Sequence, residues 1–106
     1  MPTYEIEELK EHFVKQLLPV RIYLFGSYAN NTYTDESDLD FYIIVSDNVS
    51  DLAAETTKAY KAVRRVKKHP VDIIVERMSR FESRKLIPSV ENEVYRKGML
   101  LYDSGE

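Results

Sequence analysis

The sequence has no cysteine among its 106 residues. This absence excludes disulfide frameworks, thiolate nucleophiles, zinc–thiolate sites and iron–sulfur clusters. Folding must then rest on an apolar core, which a chain of this length with 43% hydrophobic residues can supply. A protein without cysteine suits a reducing compartment, so we expect it to be cytoplasmic.

Long apolar runs are also missing. The longest, Phe41–Val45, is far shorter than the roughly 20 residues that a helix needs to cross a bilayer. The first residues, Met1–Glu8, contain no apolar stretch and are acidic, so they resemble neither a signal peptide nor a basic transit peptide. We therefore expect a soluble protein with no membrane partner.

An excess of positive charge is absent as well. Lysine and arginine total 15 against 18 aspartates and glutamates, which gives a formal net charge of -3. Because nothing in this balance attracts nucleic acid nonspecifically, direct nucleic-acid binding is not expected. One segment is nonetheless basic and contains Lys58, Lys61, Arg64, Arg65, Lys67 and Lys68. We interpret it as the solvated face of a helix, although it would also suit nucleotide phosphates, RNA or an acidic partner.

The first part of the chain predicts a helix followed by a strand. At this length we assign residues 1–106 to a single domain. Apolar residues at helical spacing, followed by a proline, predict a helix over Glu5–Leu17. The alternating segment Val20–Phe25 predicts a strand that a Gly-Ser pair ends. A short helical turn over Ser27–Ala29 and a polar loop are expected next.

The rest of the chain alternates between strands and helices. Strands are predicted over Asp38–Val45 and Val71–Val75, which are rich in β-branched and aromatic residues. A long helix over Leu52–Lys68 joins them, helix resumes near Ser79, and a short strand follows over Met99–Tyr102. This order predicts an α/β (α+β) fold in which helices flank a small mixed β-sheet.

Paired carboxylates open the second predicted strand. Asp38 and Asp40 are two residues apart, so both side chains project from the same face of a strand. Like charges this close are costly unless a cation lies between them or one carboxylate takes a proton. Hard oxygen ligands select Mg²⁺ or Mn²⁺. Asp72 would complete a site for two ions if the third strand lies next to the second. The alternative is that these are surface acids in a turn.

The Gly26-Ser27 pair ends the first predicted strand. A glycine there lets the backbone approach a ligand closely, and the N–H groups at the start of the following turn can hold a phosphate. On its own the pair is an ordinary turn. Its position, however, brings it to the same edge of the sheet as the paired acids.

These residues together resemble a known family. The motif Phe25–Ser27, then ten residues, then Asp38–Phe41, with Asp72 on a later strand, resembles the nucleotidyltransferase superfamily of DNA polymerase beta. The small size and the segment Gly98–Tyr102 look like the minimal nucleotidyltransferases. The resemblance covers essentially the whole chain and implies the nucleotidyltransferase fold.

The resemblance also implies roles for individual residues. Gly26 and Ser27 would bind the triphosphate of ATP, the expected co-substrate. Asp38 and Asp40 would ligate two Mg²⁺ ions. Asp72 would bind the catalytic ion and help to deprotonate the attacking hydroxyl, so that an acceptor oxygen attacks the α-phosphate and pyrophosphate leaves.

A partner protein is implied in the same way. Minimal nucleotidyltransferases are often paired with a HEPN-domain ribonuclease toxin, for which they act as the antitoxin by transferring AMP to a tyrosine. We expect this function and a heteromeric complex with such a toxin. One alternative is an antitoxin that neutralises its partner by occlusion without catalysis. Another is nucleotidyl transfer to a small molecule or to the end of an RNA.

Overall fold

The computed structural model describes all 106 residues and contains five helices and four strands. Their bounds are α1 Thr3–Leu17, β1 Arg21–Phe25, α2 Ser27–Asn30, β2 Leu39–Val45, α3 Leu52–Val63, β3 Val71–Arg77, α4 Met78–Arg84, α5 Val90–Lys97 and β4 Met99–Asp103. The longest helix, α1, has 15 residues, and no helix is both long and apolar enough to cross a bilayer.

The four strands form one mixed sheet in the order β3-β2-β1-β4. Strand β2 pairs antiparallel with β1 and parallel with β3, while β1 pairs antiparallel with β4. Helix α3 provides the crossover connection that a parallel pair requires. The structure therefore confirms the predicted α/β fold, and it places the third strand beside the second, the condition under which Asp72 could join the paired acids.

Apolar side chains are buried on both faces of the sheet. One face packs against α1 and α3 in a cluster of 15 buried residues that includes Phe13 and Phe41. The other face packs against α4 and α5 through a smaller cluster that includes Tyr42, Phe81 and Val94. Because β2 lies inside the sheet and is covered on both faces, its residues from Phe41 to Val45 are all hydrophobic and buried.

The predicted length of the basic helix is wrong. Helix α3 ends at Val63 instead of Lys68, and residues 64–66 form a turn. Only Lys58 and Lys61 of the basic segment therefore lie on the helix.

Two constraints keep Lys68 and His69 out of a helix. Pro70 disfavours helical backbone in the residue that precedes it. The carboxylate of Glu5, on α1, binds the backbone N–H groups of Lys68 and His69 and holds them away from a helical path. The chain consequently turns out of α3 and enters β3.

Candidate active site

Gly26 occupies a position that only glycine fits. It follows β1 with φ 74°, in the left-handed region where side chains are strained. A Cβ atom on this residue would lie 2.3 Å from Oδ2 of Asp40. The backbone after β1 therefore runs directly against the Asp40 carboxylate.

Helix α2 begins at the next residue. It is short, and its first turn is closed by bonds from the Asn30 N–H to the Gly26 carbonyl (3.1 Å) and from the Thr32 N–H to the Ser27 carbonyl (3.0 Å). The Ser27 hydroxyl makes no hydrogen bond within the chain, so it is available to a ligand. The structure thus places both predicted phosphate-binding residues at the end of β1, beside Asp40.

Asp40 and Asp72 are direct neighbours in the sheet. They are register partners on the parallel strands β2 and β3, and Phe25 is the partner of Asp40 on the other side. Burial raises the pKa of Asp40 to about 6, and the carboxylates of Asp72, Asp38 and Glu93 add to the rise. Several negative charges therefore converge on one half-buried carboxylate.

Asp38 lies just outside the strand on which it was predicted. Strand β2 starts at Leu39, whose N–H donates to the carbonyl of Pro70 (2.9 Å) and so begins the contact with the neighbouring chain segment. Because Asp38 precedes this first bond, its side chain is exposed and is not fixed by the sheet. It still contributes charge at Asp40.

The carboxylates of these aspartates suit a hard cation, but their side chains are not arranged as a complete metal-binding site. Crowded carboxylate oxygens are the ligands that Mg²⁺ prefers. No three His, Asp or Glu side chains are grouped closely enough to hold an ion in this structure. The two-ion site built from Asp38, Asp40 and Asp72 stays a prediction.

Tyr60 is a site residue that the sequence did not reveal. Its hydroxyl donates to Oδ1 of Asp72 over 3.4 Å and accepts the backbone N–H of Ile73 at 3.0 Å. The helical spacing of α3 placed Tyr60 in an apolar stripe, yet 38% of its surface is exposed. No local pattern connects it with Asp72, because the contact depends on the crossover from α3 to β3.

A groove with positive charge adjoins Tyr60. Its lining residues are Thr57, Tyr60, Lys61, Arg64 and Lys67. Within the basic segment only Lys58 forms an ion pair, with Glu55 (3.1 Å). The remaining cations of the segment are exposed, and three of them line the groove beside Tyr60.

Glu5 clamps the segment that leads into β3. Its buried carboxylate accepts the backbone N–H groups of Lys68 and His69 and lies 2.5 Å from Nδ1 of His69. Burial raises the pKa of Glu5, but these hydrogen bonds outweigh it and hold the pKa below the ordinary value of 4.5. The largest surface cavity, about 680 Å³, adjoins Glu5 and His69 and is not lined by any of the three candidate aspartates.

A second buried carboxylate anchors α5 beneath the site. Glu91 accepts the Tyr42 hydroxyl at 2.8 Å and Nε of Arg84 at 3.0 Å. Burial and this hydrogen bond raise the pKa of Tyr42. Burial opposes the charge of Glu91, but its two partners hold the pKa of Glu91 below the ordinary value. The anchor positions α5, which brings Glu93 toward Asp40.

Comparison with known proteins identifies the class to which this fold and site belong. The model of the nucleotidyltransferase domain family matches residues 6–98. The chain belongs to this family, which confirms the resemblance carried by the Gly-Ser and Asp-Leu-Asp motifs.

One relative has a more specific name. A candidate protein adenylyltransferase of Methanocaldococcus jannaschii is 35% identical, and the match covers 77% of this chain and 77% of the relative. The two proteins are therefore similar over most of their lengths.

Solved structures share the fold. A candidate nucleotidyltransferase from Sulfolobus solfataricus has a TM-score of 0.60 and 19% identity, covering 95% of this chain and 79% of its own. A toxin–antitoxin structure with AMP-PNP has a TM-score of 0.62 and 24% identity. A mutant of the toxin–antitoxin MntA-HpeT also has a TM-score of 0.62, with 22% identity. Each toxin–antitoxin match covers 93% of this chain and 74% of the other.

Proposed function

We propose that this chain is a Mg²⁺-dependent nucleotidyltransferase that transfers AMP from ATP to a tyrosine of a HEPN ribonuclease toxin and acts as its antitoxin. The observation that carries the proposal is the order of groups across three strands. Gly26, which has no side chain, the half-buried Asp40 and the exposed Asp72 follow one another from β1 to β3.

The β1 end of this row suits the triphosphate. Gly26 has no side chain between the backbone and a ligand, and the hydroxyl of Ser27 lies at the start of α2. Phosphate oxygens accept hydrogen bonds from backbone N–H groups and from a free hydroxyl. In this proposal the two residues hold the departing pyrophosphate.

The acids act on the other side of the α-phosphate. Mg²⁺, when bound, supplies positive charge that stabilises the charge developing on the phosphoryl oxygens. Asp40 lies at the centre of the row, and Asp38 extends the acidic surface toward solvent. Asp72 is exposed at the outer strand, where its carboxylate can orient an acceptor hydroxyl and take its proton.

The comparisons support the choice of acceptor. A relative that is similar over most of its length carries the name of a protein adenylyltransferase, and two proteins of the same fold are toxin–antitoxin structures, one with AMP-PNP. These names concern other proteins. They make a protein acceptor and an adenine nucleotide the first choices to test.

Occlusion without catalysis is a second candidate, and the surface of the chain favours it. Met99 and Leu100 of the edge strand β4 are 41% and 49% exposed. Apolar side chains on an unpaired sheet edge suit a protein partner whether or not transfer occurs. In that case the three aspartates would be unnecessary for inhibition of the toxin.

Intact-mass spectrometry of the HEPN partner separates these candidates. The partner is incubated with this chain, Mg²⁺ and each nucleoside triphosphate in turn, and transfer of one AMP adds about 329 Da. We expect the gain with ATP, its loss with Asp40→Asn, and its retention with Asp35→Asn, a matched change of an exposed loop residue. A stable, neutralised complex without any mass gain would favour occlusion, whereas neither complex nor gain would favour a small-molecule or RNA acceptor.

A further inference from the structure

The hydroxyl of Tyr60 lies next to the carboxylate proposed to receive the proton of the acceptor. Its oxygen is 3.4 Å from Oδ1 of Asp72 and 3.0 Å from the Ile73 nitrogen, from which it accepts a hydrogen bond. Strand β3 is the edge of the sheet, so no further strand covers this position. A tyrosine hydroxyl of the chain itself thus occupies the place where an acceptor hydroxyl is needed.

The topology aligns this hydroxyl with the proposed nucleotide. From β1 outward the groups come in the order Gly26, Asp40, Asp72 and Tyr60. Neighbouring strands are about 4.8 Å apart, so Gly26 and Asp72 are separated by about 10 Å, a span that a triphosphate can bridge. Nucleophile and leaving group lie on opposite sides of the phosphorus in an in-line displacement. Tyr60 and Gly26 are on opposite sides of the acids, as such a displacement requires.

We propose that Tyr60 is a self-modification site and that the chain transfers AMP from ATP to its own Tyr60 when no partner is bound. The Tyr60 oxygen forms a bond to the α-phosphorus, and the bond from that phosphorus to the bridging oxygen of pyrophosphate breaks. Pyrophosphate leaves with the electron pair of the broken bond, and the hydroxyl proton passes to Asp72. This inference rests on the proposed adenylyltransferase function.

The surroundings of Tyr60 suit the product. Lys61, Arg64 and Lys67 line the groove beside its ring and form no ion pair within the chain. A phosphodiester on Tyr60 would carry a negative charge into this groove, where the cations stabilise it. The basic segment, which no other part of the proposed mechanism uses, thereby acquires a role.

Other exposed tyrosines lack these features. Tyr4, Tyr33 and Tyr95 are 87%, 37% and 47% exposed, and none of their hydroxyls binds a carboxylate. Exposure alone would favour Tyr4, whereas contact with Asp72 favours Tyr60. The two criteria therefore make different predictions about where the chain is modified.

The test is mass spectrometry of the purified full chain after incubation with ATP and Mg²⁺ without a partner. We expect a gain of about 329 Da and a peptide map that places it on Tyr60. The gain should be lost in Tyr60→Phe and kept in the matched variant Tyr4→Phe. The map of the wild-type chain decides the site even if Tyr60→Phe folds poorly.

A parallel reaction with the HEPN partner distinguishes the two proposals. If the partner gains AMP in this reaction while Tyr60 stays unmodified in the reaction without a partner, self-modification is wrong and the proposed function stands. A label on another tyrosine also overturns the Tyr60 assignment. If neither protein gains mass with any nucleotide, adenylyl transfer itself is wrong and self-modification fails with it.

Discussion

Asp40 carries its charge in surroundings that oppose it. Its carboxylate is half-buried, is the register partner of Asp72, and is influenced by Asp38 and Glu93, which together with burial raises its pKa to about 6. The contacts that make this charge unfavourable in the cation-free protein would favour the divalent cation that the proposed function places there. At the scale of the residue, stability and cation affinity are therefore opposed.

Replacement of the Asp40 carboxylate by an amide should raise stability and remove the affinity for the cation. We expect Asp40→Asn to abolish AMP transfer and to raise the melting temperature by a few degrees at neutral pH without Mg²⁺, because the neutral side chain ends the repulsion. Added Mg²⁺ should raise the melting temperature of the wild type and not of the variant. Thermal unfolding with and without Mg²⁺ measures both effects. A melting temperature of Asp40→Asn below that of the wild type would contradict the view that the charge of Asp40 destabilises the cation-free fold.

Gly26 allows a second prediction at this scale. The change Gly26→Ala should destabilise the fold by about 1–3 kcal/mol, because the new Cβ meets Asp40 Oδ2 and the positive φ is strained. Displacement of the carboxylate should lower transfer about a hundredfold. Urea unfolding and the partner-labelling rate measure the two losses.

Gly105 provides the matched control. It also has a positive φ, 89°, but a Cβ there meets nothing within 4 Å. We expect Gly105→Ala to leave transfer near the wild-type value and to cost stability only through the positive φ. Similar losses in both variants would show that backbone strain, and not the contact with Asp40, causes the defect.

Among the elements, β3 depends on a contact from far away in the chain. The carboxylate of Glu5 on α1 fixes the backbone of Lys68 and His69, which immediately precede the strand that carries Asp72. Hydrogen bonds to a buried charge contribute about 1.5–3 kcal/mol each. The first helix therefore helps to set the position of the outermost acid.

Neutralising the clamp should weaken the fold in a pH-dependent way. We expect Glu5→Gln to lose about 1–3 kcal/mol of unfolding free energy at neutral pH, since amide hydrogen bonds are weaker than those of a carboxylate. The folded-state pKa of Glu5 is below 4.5, so its contribution is present above pH 4.5 and is lost as the pH falls through the folded value. Denaturant unfolding at several pH values tests this, with the exposed Glu8→Gln as the control.

The elements also show what can be predicted from sequence. Strands β1, β2 and β3 follow directly from apolar and β-branched patterns, and the spacing of Asp38 and Asp40 points to a shared site. The end of α3 at Val63 has no signal in the neighbouring sequence, and the contact of Glu5 with Lys68 and His69 joins residues far apart in the chain. Tyr60 was missed for the same reason, since its role comes from the crossover and not from neighbouring residues.

For the whole molecule, the dependence of stability on pH is set by carboxylates whose pKa values are shifted in opposite directions. The pKa values of Glu5 and Glu91 are lowered, so both stabilise the fold above pH 4.5 and lose this contribution in acid. Asp40 acts in the other direction. Its pKa is raised from 3.8 to about 6, so stability falls as the pH rises across that interval.

We therefore expect the cation-free chain to be most stable on the acidic side of neutrality, at a pH of about 5. Melting temperatures measured from pH 3 to pH 8 with a chelator present test this expectation. In Asp40→Asn the decline between pH 5 and about pH 6 should disappear, while the loss of stability in acid remains. A wild-type melting temperature that rises steadily up to pH 7 would contradict the assigned pKa shift of Asp40.

The strand order has a consequence for how the molecule is made. Strands β1, β2 and β3 with all the proposed acids are synthesised before β4, which pairs only with β1. A folding intermediate in which β1, β2 and β3 are paired but β4 is not would hold all the proposed acids, while one side of β1 presents unpaired backbone groups. Pairing of residues 99–103 with β1 closes that side and protects the strand from wrong partners.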